Sequence, residues 1–172
     1  MVLDHPAALK IAQSYFGTNE PLERLGWGIS GYVYLSPDAR TAVKVHRREE
    51  SYQRELEVYL RLRRLRITRL HGLTIPKLRG YRDDLRLIQM DTVTAPFLLD
   101  FAGTLLDPPD WTDDRLAETI AEKFWPNAWL AHLVYDSLAR HGLYYVDFRQ
   151  TNLKLDGHPA LEPPEPPESD DT

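Results

Sequence analysis

Glycines at Gly26, Gly28 and Gly31 precede a β-prone run, a lysine follows at Lys44, and far downstream Asp147 and Asn152 stand five residues apart. A residue without Cβ reaches positive φ cheaply and lets backbone N–H groups approach anionic oxygens, so the glycine stretch suits a phosphate. A carboxylate within hydrogen-bond reach of a hydroxyl can orient it and take its proton, and an amide oxygen nearby can hold a divalent cation. One short polar loop, 147–152, offers both groups. A dinucleotide site is excluded, because it needs a helix directly after the glycine turn. Here Tyr32, Val33, Tyr34 and Leu35 are β-prone and end in Ser36-Pro37-Asp38, so the glycine loop joins two strands.

The elements that must carry these residues follow from periodicity. Strand Thr41-Ala42-Val43-Lys44-Val45 puts Lys44 on one face with Ala42 and turns Val43 and Val45 to the other. A helix over 49–65 follows, with Tyr52, Leu56, Tyr59, Leu60 and Arg63 along one stripe. Before the glycines, Ala7, Ala8, Ile11, Ala12, Tyr15 and Phe16 have helical spacing closed by Gly17. Residues 78–81 and 85–90, separated by Asp83-Asp84, read as a hairpin and bring the expected strands to five. Beyond them, 112–114 supply capping residues for a helical region that Pro126 interrupts and His141-Gly142 ends. Residues 143–146 and 153–155 read as short strands flanking the 147–152 loop, and Asp156-Gly157 as a hairpin turn. The expected class is α+β, a sheet-rich part followed by a helix-rich one.

A chain of 172 residues with 42% hydrophobic content can build one core, divided into two small lobes. The lack of cysteine removes disulfides, thiolate metal sites and cysteine nucleophiles. All 21 basic residues precede residue 156, whereas six of the 26 acids fall in 156–172 among five prolines, so the body is near neutral and the end reads as an extended acidic tail. No run approaches the ~20 apolar residues of a membrane span, and Asp4, His5 and Lys10 argue against a signal peptide, so a cytoplasmic location with no membrane partner is the expectation. The basic stretch of Arg63, Arg64, Arg66, Arg69, Lys77, Arg79 and Arg82 reads as a solvated face and not a nucleic-acid surface, since stacking aromatics are sparse there. Trp111, Trp125 and Trp129 are expected in the core or in helix packing.

In order and spacing these residues resemble the protein-kinase-like superfamily, over about residues 25–161. Gly26, Gly28, Gly31 and Val33 match G-x-G-x-x-G-x-V, Ala42-Val43-Lys44 is similar to the V-A-I-K strand, and Asp147 to Asn152 is similar to the catalytic loop. The resemblance implies a two-lobed fold, with a five-stranded antiparallel N-lobe sheet plus helix and a reduced helical C-lobe. Its divisions are a helical segment 1–22, an N-lobe 23–93, a C-lobe 94–161 and an acidic tail 162–172. It implies ATP as cofactor with Mg2+, or Mn2+ in its place. Lys44 would contact the α and β phosphates, Glu55 would orient Lys44, Asp147 would act as base, Arg149 as charge stabiliser and Asn152 as metal ligand. Backbone groups of Asp91 and Val93 would meet the adenine edge, beside Val33 and Ala42. The chain also departs from the pattern. Tyr145-Val146-Asp147 replaces H-R-D, and no D-F-G aspartate follows Asn152, leaving Glu162 or Glu165 as substitutes. The implied activity is transfer of the γ-phosphoryl group to a hydroxyl of a small molecule, a partner protein or the chain's own side chains. The alternative is a pseudokinase-like binding module acting through a partner, and a third reading adds a second copy of the chain as homo-oligomer.

Overall fold

The computed structural model describes residues 3–110 and 113–161. The expected acidic tail with Glu162 and Glu165, and Trp111 and Thr112, lie outside the described residues. Helix α1, His5–Phe16, starts where the Asp4 carboxylate accepts the Ala7 N–H and stops where Gly17 adopts φ 66°. Strands β1 (Arg24–Trp27), β2 (Gly31–Leu35) and β3 (Thr41–His46) follow, then helix α2, Glu49–Leu65. Two-residue strands β4 (Arg69–Leu70) and β5 (Leu73–Thr74) precede β6 (Leu78–Arg82) and β7 (Leu87–Asp91). The expected five-stranded antiparallel sheet forms in the order β1-β2-β3-β7-β6.

Alternation decides what each face of that sheet meets. Val43, Val45, Tyr32, Tyr34 and Leu87 bury against Ala8 and Ala12 of α1. The opposite face carries Lys44, His46 and Ile88 toward α2. On α2 the buried stripe is Tyr52, Glu55, Leu56, Val58, Tyr59 and Leu62. Arg63, expected in that stripe, is exposed, because Leu62 faces the sheet one position earlier and leaves the guanidinium in water.

A second, four-stranded sheet was not expected: β4-β5 pairs in parallel with β8 (Phe97–Leu98), which pairs with β9 (Leu153–Lys154). Its strands are two residues long, too short for any alternation to show in sequence. Between β8 and β9 lie helices α3 (Asp113–Phe124) and α4 (Ala128–Ala139), divided near Pro126 as expected. Helix α4 buries Leu130, Ala131, Val134 and Leu138, which turns Trp129 outward, and Trp125, between the helices, is 82% exposed. The expectation that these two tryptophans pack inside is thus corrected. Residues 143–146 form no strand, only a Leu105–Tyr144 bridge, because Leu143 and Tyr145 are drawn into the core. The Asp156-Gly157 turn leads into the 3-10 turn Pro159–Leu161 and not into a hairpin strand. No helix among the described residues is long and apolar enough to cross a membrane.

A run of buried aromatic rings crosses the core. Tyr59 of α2 meets Phe101 edge-on at 5.4 Å, Phe101 meets Tyr145 at 5.8 Å, Tyr145 meets Phe148 at 5.1 Å, and Phe148 meets Phe124 of α3 at 6.3 Å.

The glycines of the β1–β2 turn differ in what surrounds them. A Cβ on Gly31 would lie 2.2 Å from the Val45 carbonyl oxygen, whereas one on Gly26 or Gly28 would meet nothing within 4 Å. Gly31→Ala is therefore expected to destabilise the chain by about 1–3 kcal/mol in urea unfolding. Gly28→Ala is expected to stay within about 0.5 kcal/mol of the parent. Equal effects of the two substitutions would contradict the close β2–β3 approach.

Candidate functional site

The glycine turn is closed by a 2.9 Å bond from the Gly28 N–H to the Gly31 carbonyl, which leaves Ile29 and Ser30 at its tip. None of its three glycines has positive φ; the glycines that do are Gly17, Gly72, Gly142 and Gly157. Space, not backbone freedom, is what glycine provides here: close strand packing at Gly31, and open room at Gly26 and Gly28. Ile29 and Trp27 are exposed, and the Arg24 guanidinium lies 4.6 Å from the centre of the Trp27 ring. Val33 lies opposite Lys44 in the β2–β3 ladder, and Ala42 is two residues before it, so all three share a face.

Lys44 is 4% exposed, and its Nζ sits 2.7 Å from Glu55 Oε2 and 2.8 Å from Asp100 Oδ1. Burial alone would lower the Lys44 pKa, but the charges of Glu55 and Asp100 outweigh it and hold the ammonium above its ordinary value. Burial would likewise raise Glu55, yet the Lys44 charge and the His46 hydrogen bond bring its carboxyl down to about 2. His46 Nε2 approaches the same oxygen, Oε2, at 2.7 Å. Two side chains that sequence reasoning passed over, His46 and Asp100, thus complete the surroundings of Lys44 and Glu55. His46 stands two residues after Lys44, so strand alternation could have found it. Asp100 carries no local signal: it reaches Lys44 from 56 positions along the chain, with φ 56°, a left-handed conformation that aspartate tolerates better than most residues.

Residues 99–104 tie this cluster to the 147–152 loop. The Leu99 N–H donates to the Asn152 carbonyl at 2.7 Å, and the Tyr145 hydroxyl donates to the Leu99 carbonyl at 2.8 Å. A Cβ on Gly103 would lie 3.5 Å from Asp147 Cβ. Asp100, at one end of the segment, touches Lys44, and Gly103, at the other, lies against Asp147. Within the loop, Asn152 Nδ2 donates to Asp147 Oδ2 at 3.1 Å, and the amide Oδ1 accepts from the Thr151 hydroxyl at 3.4 Å. Arg149 Nε sits 2.7 Å from Asp147 Oδ1. The guanidinium therefore neutralises the carboxylate that was expected to act as base. The Thr104 hydroxyl is buried with no hydrogen-bond partner among the described residues.

The strand end expected to meet a base is partly engaged. The Asp91 N–H donates to the Lys77 carbonyl at 3.0 Å, and the Asp91 carboxylate pairs with Arg79, so that N–H is not available to a ligand. Val93, half-buried two residues on, makes no hydrogen bond among the described residues. In the basic stretch Arg79 and Arg82 pair with Asp91 and Asp84, Arg64 pairs with Glu57, Arg61 donates to the Gly142 carbonyl, and Arg63, Arg66 and Arg69 are exposed.

The buried pair sets a pH dependence of stability. Glu55 falls from 4.5 to about 2 in the folded chain, so its contribution is complete above pH 4.5 and is lost as pH falls toward 2. Lys44 is raised above 10.5, so its contribution is present below that value and is lost at more alkaline pH. Glu55→Gln is expected to flatten the acid limb of a stability-against-pH curve. Glu55→Ala, which strands two buried donors, is expected to cost about 3–5 kcal/mol at neutral pH. An unchanged acid limb in Glu55→Gln would show that another carboxylate governs acid unfolding.

No protein-family model and no curated protein matches the chain. Among solved structures it is similar to the aminoglycoside phosphotransferase APH(2")-IIa, a protein-kinase-like fold, in a ternary complex with streptomycin and ATP. The identity there is 26% and the TM-score 0.37, over 55% of this chain and 31% of that chain. It is similar also to a gentamicin complex of APH(2")-IIa, at 25% identity and TM-score 0.39, over 55% of this chain and 29% of that one. The chain thus spans about a third of the length of the solved chains it matches.

Proposed function

We propose that the chain binds ATP with a divalent cation between the glycine turn and the 147–152 loop and transfers the γ-phosphoryl group to a hydroxyl acceptor. The observation that carries this reading is the buried Lys44 ammonium, held between Glu55 and Asp100 on the face below the glycine turn. The cost of burying that charge is offset by its two carboxylate partners, and anionic phosphates approaching over the open room at Gly26 and Gly28 would meet a fixed cation.

The donor set suits Mg2+. Asn152 Oδ1 is a hard oxygen donor, and Mg2+ characteristically takes one or two protein oxygens and completes its shell from phosphates and water. Among the described residues no group of three or more histidine, aspartate or glutamate side chains could hold a metal, so the nucleotide would supply most of the coordination. A bound cation would neutralise phosphate charge. Asp147 would orient the acceptor hydroxyl and take its proton at Oδ1 once Arg149 turned from that oxygen toward the phosphoryl group. The acceptor is a small molecule or a partner protein.

A second reading, a nucleotide-binding module without transfer, draws support from the Asp147–Arg149 pair, which occupies the base. Calorimetry with ATP and Mg2+, followed by radiolabelled ATP with cell extract as acceptor, separates the two. Transfer is expected to be slow, faster with Mn2+, and reduced roughly 10²- to 10³-fold or more in Asp147→Asn. Binding with no transfer above the Asp147→Asn background would leave the binding module. No binding of ATP, ADP or GTP at millimolar concentration would remove the nucleotide reading.

A further inference from the structure

His46 is fully buried, with Nε2 2.7 Å from Glu55 Oε2 and Nδ1 3.1 Å from the Arg86 carbonyl oxygen. Neither partner can donate, since an ionised carboxylate and a peptide carbonyl only accept. In either neutral tautomer one ring nitrogen would aim a lone pair at an oxygen. Both contacts are favourable only in the imidazolium, which donates from both nitrogens.

The groups facing the ring are consistent with a cation. From its own strand Lys44 shares Glu55 Oε2. From α2, besides Glu55, the Tyr52 ring meets it edge-on at 5.6 Å and turns its hydroxyl to Asp83 at 2.6 Å. Ahead of β7, Arg86 offers its carbonyl, which also accepts the His46 N–H, while its guanidinium turns away to the Arg47 carbonyl. Uncharged Gly31 lies across from it on β2. With His46 protonated, the cluster holds two cations, Lys44 and His46, against two anions, Glu55 and Asp100. With His46 neutral it would carry a net negative charge beside the place where phosphates are to bind.

We propose that His46 is a positioning residue for the nucleotide site: its imidazolium locks the Glu55 carboxylate between sheet and helix, so that Lys44 is oriented by an oxygen that cannot swing away. The role rests on the nucleotide reading, but the lock itself does not. With a proton on only one ring nitrogen, the other contact would set a lone pair against an oxygen, and the carboxylate would be free to swing.

Two measurements on the full chain test this. Long-range nitrogen–proton NMR is expected to find both His46 ring nitrogens protonated, and only one at the same near-neutral pH in Glu55→Gln; a bare nitrogen in the parent chain overturns the proposal. His46→Gln, which keeps a donor toward Glu55 without the charge, is expected to melt near the parent temperature. It should weaken ATP binding in the presence of Mg2+ roughly 10- to 100-fold, the range of a lost charge-assisted hydrogen bond. Unchanged affinity in His46→Gln overturns the positioning role, even if the substitution lowers the melting temperature. If the parent chain binds no nucleotide, the nucleotide reading and the positioning role fall together, and the NMR result decides on the lock alone.

Discussion

One carboxylate oxygen, Oε2 of Glu55, is the point around which the N-terminal sheet and its helix are organised. It accepts from Lys44 and from His46, both at 2.7 Å, at a depth where water reaches none of the three to any extent. A buried charge without partners is strongly destabilising, so the register of β3 against α2 is fixed by the need to bring both donors to that oxygen. Apolar burial drives the same helix onto the same sheet but is not directional. The ionic cluster supplies the direction.

From that cluster, order spreads along residues 99–104. Asp100 takes the remaining side of the Lys44 ammonium, and Phe101, next in sequence, fills the space between Tyr59 and Tyr145. Tyr145 anchors the Leu99 carbonyl through its hydroxyl while its ring packs on Phe148. Burial holds the hydroxyls of Tyr59 and Tyr145 well above the usual phenol range, so both stay protonated donors. The position of Asp147 is therefore coupled through packed rings to the helix that carries Glu55.

Local regularity determined what could be read from the residues alone. Helix α2 has many good helix formers and no breaker, and its bounds came out as 49–65; β2 and β3 alternate clearly, and Lys44 falls on the expected face. The ends of the glycine turn were legible for the same reason, although the role of the glycines was misjudged: a positive φ was assumed where clearance across β2–β3 was the constraint. The second sheet was not legible because its strands are too short to show a period and β8–β9 joins residues more than 50 positions apart, and Asp100 was not because it reaches Lys44 from 56 positions away. The outward tryptophans mark a further limit. Residue type suggests burial, but the face of α4 is chosen by its neighbours, and Leu130, Val134 and Leu138 claim it.

The pairing of β8 with β9 makes residues 97–98 and 153–154 the closed stem of a long excursion, continued inward by the Leu105–Tyr144 bridge. The helices α3 and α4 form the head of that stem, entering and leaving at one place. Loop-closure entropy rises only slowly with length, so residues added or removed in the turn between those helices would change the cost of closing the stem by little. The head also buttresses the loop, through Phe124 on Phe148 and the Lys123 carbonyl accepting from Gln150. The outward face of α4 around Trp129 and Leu133 is exposed, and there the architecture leaves room to graft a new surface without moving Lys44 or Asp147.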